Sequence, residues 1–229
     1  HKVVGSQLTL TSRRIIALMT GSDGGVVSGL QGLYAWYCCL AKPVDQGQLV
    51  KINPLAVLSF GDAWGLSIGA RVCLIEAIGA YPGHETDWRE LGWQSQTFRA
   101  LATPDMVPAF VSILSDTSRE KGAQLRVDAV VMALKDAPML TGLGEHVQRV
   151  FRDHTYWSGI RRYALRAYLD HYLSRPDDAL HILEEIERGD LVDDDDELLA
   201  AVLSIVYPEC LGVAAAVEYL RAPKQRNVI

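Results

Sequence analysis

Tyr156–Leu173, YWSGIRRYALRAYLDHYL, is the stretch whose reading decides the fold. At about 100° per residue, Trp157, Ile160, Ala164, Leu165, Ala167, Tyr168, Leu169 and Tyr172 fall on one broad arc. Arg162, Arg166, Asp170 and Ser174 fall on the opposite one. One face is built for a core and the other for water. Moved back by 35 positions, Ile160–Leu169 lies over Leu125–Leu134, LRVDAVVMAL, with Arg126 under Arg161, Ala129 under Ala164 and Leu134 under Leu169. Self-similarity at such a spacing is the signature of a stacked helical repeat.

The flanking sequence extends the pattern in both directions. Thr103-Pro104 begins a helix that runs to Leu114, with Glu120–Ala137 as its partner. Gly142–Arg152 and Tyr156–Leu173 make the next pair, and Pro176–Arg188 with Asp195–Tyr207 a third. Val111, Val147 and Leu183 recur at intervals of 36, as do Leu114, Val150 and Ile186. A lone pair cannot bury its apolar arc, whereas stacked pairs can. The expected fold is all-α, a HEAT-like helical-repeat solenoid of antiparallel helix pairs with a period of about 35 residues. Residues 103–229 hold the regular pairs and residues 1–102 a more irregular helical part, unless the two form one continuous solenoid. A final helix is expected over Gly212–Leu220, followed by a frayed polar tail.

In the first part, Ser12–Thr20 reads as a short helix capped by Thr11 or Ser12, ending in the turn Gly21-Ser22-Asp23-Gly24-Gly25. Gly29–Ala41 is a strongly apolar helix closed by Pro43, and Asp45–Ile52 a short one. Asn53 is the N-cap and Pro54 the first residue of the next helix. Ser67–Ala80 is helical with Ser67 as its cap, and Pro82–Trp93 is a connection.

Composition bounds the function. At 229 residues, 49% hydrophobic and 22% charged, the chain can bury a substantial core. A net charge of −6 argues against a phosphate-neutralising surface, so nucleic acid is not the expected partner. Apolar runs are interrupted well before the roughly 20 residues of a membrane span. Cys38, Cys39, Cys73 and Cys210 have neither zinc spacing nor disulfide density, which fits a reducing, cytoplasmic compartment. His1, without an apolar leader after it, reads as a cut edge rather than a natural N-terminus.

Each motif that could carry chemistry has a plainer reading. The glycines at 21–25 lack the Gly-Lys-Ser/Thr that a P-loop uses to reach phosphate and Mg²⁺. Gly65-Leu66-Ser67-Ile68-Gly69 matches G-x-S-x-G, but an elbow needs a strand before its serine, and Ser67 precedes a helix. His84, Glu85 and Asp87 share one short loop and supply too few ordered metal ligands. Asp193–Glu197, DDDDE, lacks the alternation and the glycine of a calcium loop and fits a helix N-terminus. No cofactor is expected. Arg126 and Arg161 sit inside apolar arcs, where they either pair with carboxylates and carbonyls or, with Arg162 and Arg166, present a partner-binding face.

Several stretches together resemble a known group. Leu18–Val27 followed by Gly32-Leu33-Tyr34-Ala35-Trp36, Asn53-Pro54-Leu55 leading to Phe60-Gly61-Asp62-Ala63, and Asp195–Leu199 leading to Val206-Tyr207-Pro208 and Val217–Leu220 are similar to the segment after the ATPase module of large bacterial NACHT-like, STAND-type ATP-binding proteins. The resemblance implies a non-catalytic sensor or regulatory region that contacts a protein partner or the rest of its parent chain, often in bacterial defence against phage. The nucleotide chemistry would then belong to a separate module. The alternatives are a free-standing helical scaffold or adaptor, and a small hydrolase using Ser67.

Overall fold

The computed structural model describes residues 9–22, 24–81, 96–173 and 176–219, and within them the chain is helical without a strand. The first segments are α1 (Leu10–Met19), α2 (Gln31–Leu40), α3 (Pro43–Ile52), α4 (Pro54–Phe60) and α5 (Ile68–Gly79). After the short α6 (Gln96–Arg99) come α7 (Val107–Leu114), α8 (Lys121–Lys135), α9 (Gly144–Arg152), α10 (Ser158–His171), α11 (Pro176–Arg188), α12 (Glu197–Val206) and α13 (Val213–Tyr219). The expected frayed tail, and the connection that contains His84, Glu85 and Asp87, lie outside the described residues.

Local chemistry sets most boundaries. The Asn53 side chain accepts the Ala56 amide at 2.9 Å, with Pro54 at the first helical position. Ser67 likewise caps α5, at 3.4 Å from the Ala70 amide. α1 starts earlier than a Thr11 or Ser12 cap would allow, because Thr9 is the cap. Thr9 is held there by buried Asp45, which accepts from its amide and its hydroxyl, both at 2.9 Å. Between Thr103 and Leu114 the expected single helix is split into a 3-10 turn, Pro104–Met106, and α7. Pro108 has no N–H to offer the Pro104 carbonyl, so the regular ladder is interrupted there. α9 begins two residues later than expected, since Gly142 adopts a positive φ of 87° and stays in the turn.

One apolar cluster runs from Ile16 to Val206, with Tyr34, Phe98, Phe110 and Phe151 among its largest fully buried side chains. Burying each large apolar residue contributes about 1.5–3 kcal/mol. The helices that share this core pack in chain order: α3 on α5, α5 on α8, α8 on α10, and α10 on α12. Of the others, α7 covers α8, α9 covers α10 and α11 covers α12, while α2 and α4 pack chiefly on each other.

Direction changes once in this row. Arg162 meets Glu197 and Arg166 meets Ser204, so α10 and α12 run the same way, and Gln124 with Trp157 and Lys135 with His171 place α8 alongside α10 in the same sense. Across α5 and α8, Glu76 pairs with Arg126 while Gly79 lies against Gly122, so these two run in opposite senses.

Candidate interaction faces and the polar rungs behind them

A buried polar side chain stands at the fourth position of each of four core helices: Gln46 in α3, Arg71 in α5, Gln124 in α8 and Arg161 in α10. Gln46 donates to the Cys39 and Gly65 carbonyls at 3.1 and 3.0 Å and accepts the Ser67 amide at 2.8 Å. Arg71 donates to the carbonyls of Ala63, Leu66 and Trp64, each at 3.1 Å, and to the Thr103 hydroxyl at 2.7 Å. Gln124 donates to the Arg119 carbonyl and accepts the Trp157 amide, both at 3.0 Å. Arg161 donates to the Phe151 carbonyl at 3.0 Å and to the Val192 carbonyl. Each rung ties the chain before its own helix to a later turn, and three of the four reach the turn that opens the next core helix. Most of the groups satisfied in this way are backbone atoms of turns and helix ends, where regular ladder partners are lacking.

The four arginines singled out in the sequence therefore separate. Arg161 is only 4% exposed, and its guanidinium is committed to two carbonyls, so it forms no part of an open anionic-partner face. Burial lowers its pKa, while Asp193, Asp195, Asp194 and Asp153 push it back up. Arg126 does not occupy the equivalent place. It is half-buried at the edge of α8, 3.3 Å from Asp116 and 3.7 Å from Glu76. Arg162 lies 3.2 Å from Glu197 and over the Tyr163 ring at 4.9 Å. Arg166 is held by Asp170 at 3.0 Å and by the Ser204 hydroxyl at 2.8 Å. Arg126, Arg162 and Arg166 thus retain contact with solvent, but each already has an anionic or polar neighbour that a partner would have to displace.

A second network joins the turns before α8 and α10. Arg119 pairs with Asp153, donates to the Thr155 hydroxyl at 2.8 Å, and stacks over the Tyr156 ring at 4.0 Å. Burial alone would raise the Asp153 pKa. Bonds from the Thr155 hydroxyl, Arg119 and the Thr155 amide outweigh it and bring it down to about 2. Neither Arg119 nor Asp153 stands out in the sequence, because each lies in a polar turn where charge is ordinary.

The remaining motifs serve structure. The glycine loop after α1 closes on itself, with Gly21 donating to the Gly25 carbonyl and Gly24 to that of Gly21. Ser67 follows a 3-10 turn, Ala63–Gly65, rather than a strand. In the acidic run, Asp193 accepts the Leu198 and Leu199 amides at 3.2 and 2.9 Å, so it caps α12 from outside the helix. Cys38 and Cys39 are buried, and burial pushes the Cys38 thiol up to about 12. No group of His, Cys, Asp and Glu among the described residues could hold a metal ion, and none of their helices is long and apolar enough to cross a membrane.

Large apolar side chains also stand on the surface. On α2, Leu33, Trp36 and Leu40 are exposed at helical spacing and form one stripe. At the far end of the chain Tyr207, Val213 and Val217 are exposed as well. No family model matches the chain, and neither a curated protein nor a solved structure does.

Proposed function

We propose that this chain is a HEAT-like helical-repeat region with no chemistry of its own, which serves as a sensor or regulatory interaction module of a larger STAND-type NTPase. The observation that carries the repeat reading is the set of rungs at Gln46, Arg71, Gln124 and Arg161, each at the fourth position of its helix. A polar side chain that recurs at one position in four helices of one row supports a reading as units that each contact their neighbours. The exposed α2 stripe supports an interaction role, since a soluble chain rarely leaves such a row of large apolar side chains without use. The free cysteines support a reducing, cytoplasmic setting. The attached NTPase is supported by the resemblance of Leu18–Trp36 and Asn53–Ala63 to the segment after such modules.

Sequencing the reading frame on both sides of His1 and Ile229 tests the parentage. A P-loop module upstream is the expected result. Its absence overturns the NTPase reading and leaves the scaffold or adaptor, which the same exposed stripe favours.

A further inference from the structure

The two ends of the row differ in charge and agree in apolarity. Residues 176–219 hold 13 carboxylates and one arginine, a net charge of −12 in a chain whose total is −6. Residues 9–22 and 24–81 hold five cations and three carboxylates, a net charge of +2. Among these, Arg71 and Asp45 are buried and Glu76 pairs with Arg126, while Asp62 is exposed alongside Arg13, Arg14, Lys42 and Lys51.

At the first end the α2 stripe has Trp36 51% and Leu40 78% exposed, with exposed Lys42 directly after it. Exposed Arg13 and Arg14 are close by, since Tyr37 of α2 donates to Ser12 of α1 at 2.8 Å. At the other end, Val213 and Val217 are one helical turn apart on α13, 64% and 56% exposed, with exposed Glu209 and Glu218 beside them. An apolar strip with a basic border therefore stands at the start of the row, and an apolar strip with an acidic border at its finish.

We propose that the occupant of the α2 stripe is the α13 end of a second copy of this chain, in a head-to-tail contact. Opposite charge at the two borders steers the encounter and disfavours like ends meeting, while the apolar strips supply the burial. Such a contact is heterologous, so one copy still presents a free strip at each end and the assembly grows in one dimension. The proposal does not depend on an attached NTPase.

The test is sedimentation velocity across a concentration series. Wild type is expected to form species at integer multiples of the chain mass, weaker as salt rises from about 0.01 M to about 0.15 M, where the Debye length falls from about 30 Å to about 8 Å. Trp36→Glu blocks one end and Val217→Lys the other, and each alone is expected to lose self-association by about tenfold or more. Mixed in equal amounts they are expected to form a closed one-to-one pair, because each retains the end that the other lacks. Leu40→Glu and Val213→Lys repeat the design at neighbouring positions should either first variant fail to fold by circular dichroism. Wild type that stays monomeric at low salt overturns the proposal. So does a Val217→Lys chain that still dimerises, or a mixture that does not pair.

Discussion

Gly79 and Gly122 lie backbone against backbone where α5 meets α8. A Cβ on Gly122 would stand 2.7 Å from the Gly79 carbonyl oxygen, and a Cβ on Gly79 2.9 Å from the Gly122 carbonyl oxygen. The obstacle is main chain on both sides, so a larger residue cannot be accommodated by a rotamer change. This contact lies at the one place in the core row where neighbouring helices run in opposite senses.

Gly122→Ala is expected to lower stability by about 1–2 kcal/mol, the cost of forced separation outweighing the gain in helix propensity. Gly69→Ala, in α5 with nothing within 4 Å of its would-be Cβ, should instead raise it by a few tenths of a kcal/mol. Urea midpoints of the two variants against wild type decide it. Equal shifts would mean that the helices are not in contact here.

Arg161→Met should cost about 2–4 kcal/mol, because it leaves the Phe151 and Val192 carbonyls without their donor. Arg126→Met should cost less than about 1 kcal/mol, since its ion pairs with Asp116 and Glu76 are half in solvent. Thermal unfolding of both proteins checks the contrast, and a larger loss for Arg126→Met would refute the assignment of the rung to Arg161.

Asp153 should make the fold acid-sensitive. Its folded pKa of about 2 lies below the ordinary 3.8, so its contribution is complete above about pH 4 and is lost as pH falls towards 2. Asp45, also lowered, adds in the same direction: burial would raise it, but bonds from Ser12 and Thr9 outweigh that. The difference between wild type and Asp153→Asn isolates the first contribution. That difference should shrink between pH 4 and pH 2, and a gap constant across this window would count against the Arg119–Asp153 pair.

Native protein should expose at most two thiols to a disulfide reagent at pH 8 on the minute timescale. Cys73 and Cys210 are partly exposed, whereas Cys38 and Cys39 are buried, with burial holding their thiols protonated. All four should react in denaturant. Fast labelling of Cys38 in the native protein would contradict the packing of α2 against α4.

Asp45→Ala should release α1 without unfolding the rest. It removes the acceptor of Thr9 and Ser12 bonds at 2.7–2.9 Å, a local cost of about 1–3 kcal/mol. Amide exchange over Leu10–Met19 should speed up by about tenfold or more while α8 and α10 stay protected.

What could be read from the sequence was local or periodic. Asn53 and Ser67 announce themselves as caps because capping uses atoms within three residues. The arc of α10 is visible because its burial follows the helical period: Ile160, Ala164, Leu165, Ala167 and Leu169 are all buried. Pairing Arg126 with Arg161 failed because a fixed offset assumes turns of equal length. The residue that does the work of Arg161 in α8 is Gln124, 37 positions earlier, and a glutamine in a first turn looks like any surface residue. A usable signal exists in hindsight: Gln46, Arg71, Gln124 and Arg161 share the fourth position after a helix start. The reversal between α5 and α8 had no signal, since apolar periodicity marks which face is buried but not which way the neighbour runs.

The rungs also bear on how the chain reaches its structure. Gln46 closes on Ser67 over 21 residues, Arg71 on Thr103 over 32, Gln124 on Trp157 over 33 and Arg161 on Val192 over 31. None of these staples spans more than 33 residues, so loop closure is inexpensive at each of them. During synthesis each rung becomes available once the next turn has left the ribosome, and the core can be laid down from the N-terminal end in the order of translation.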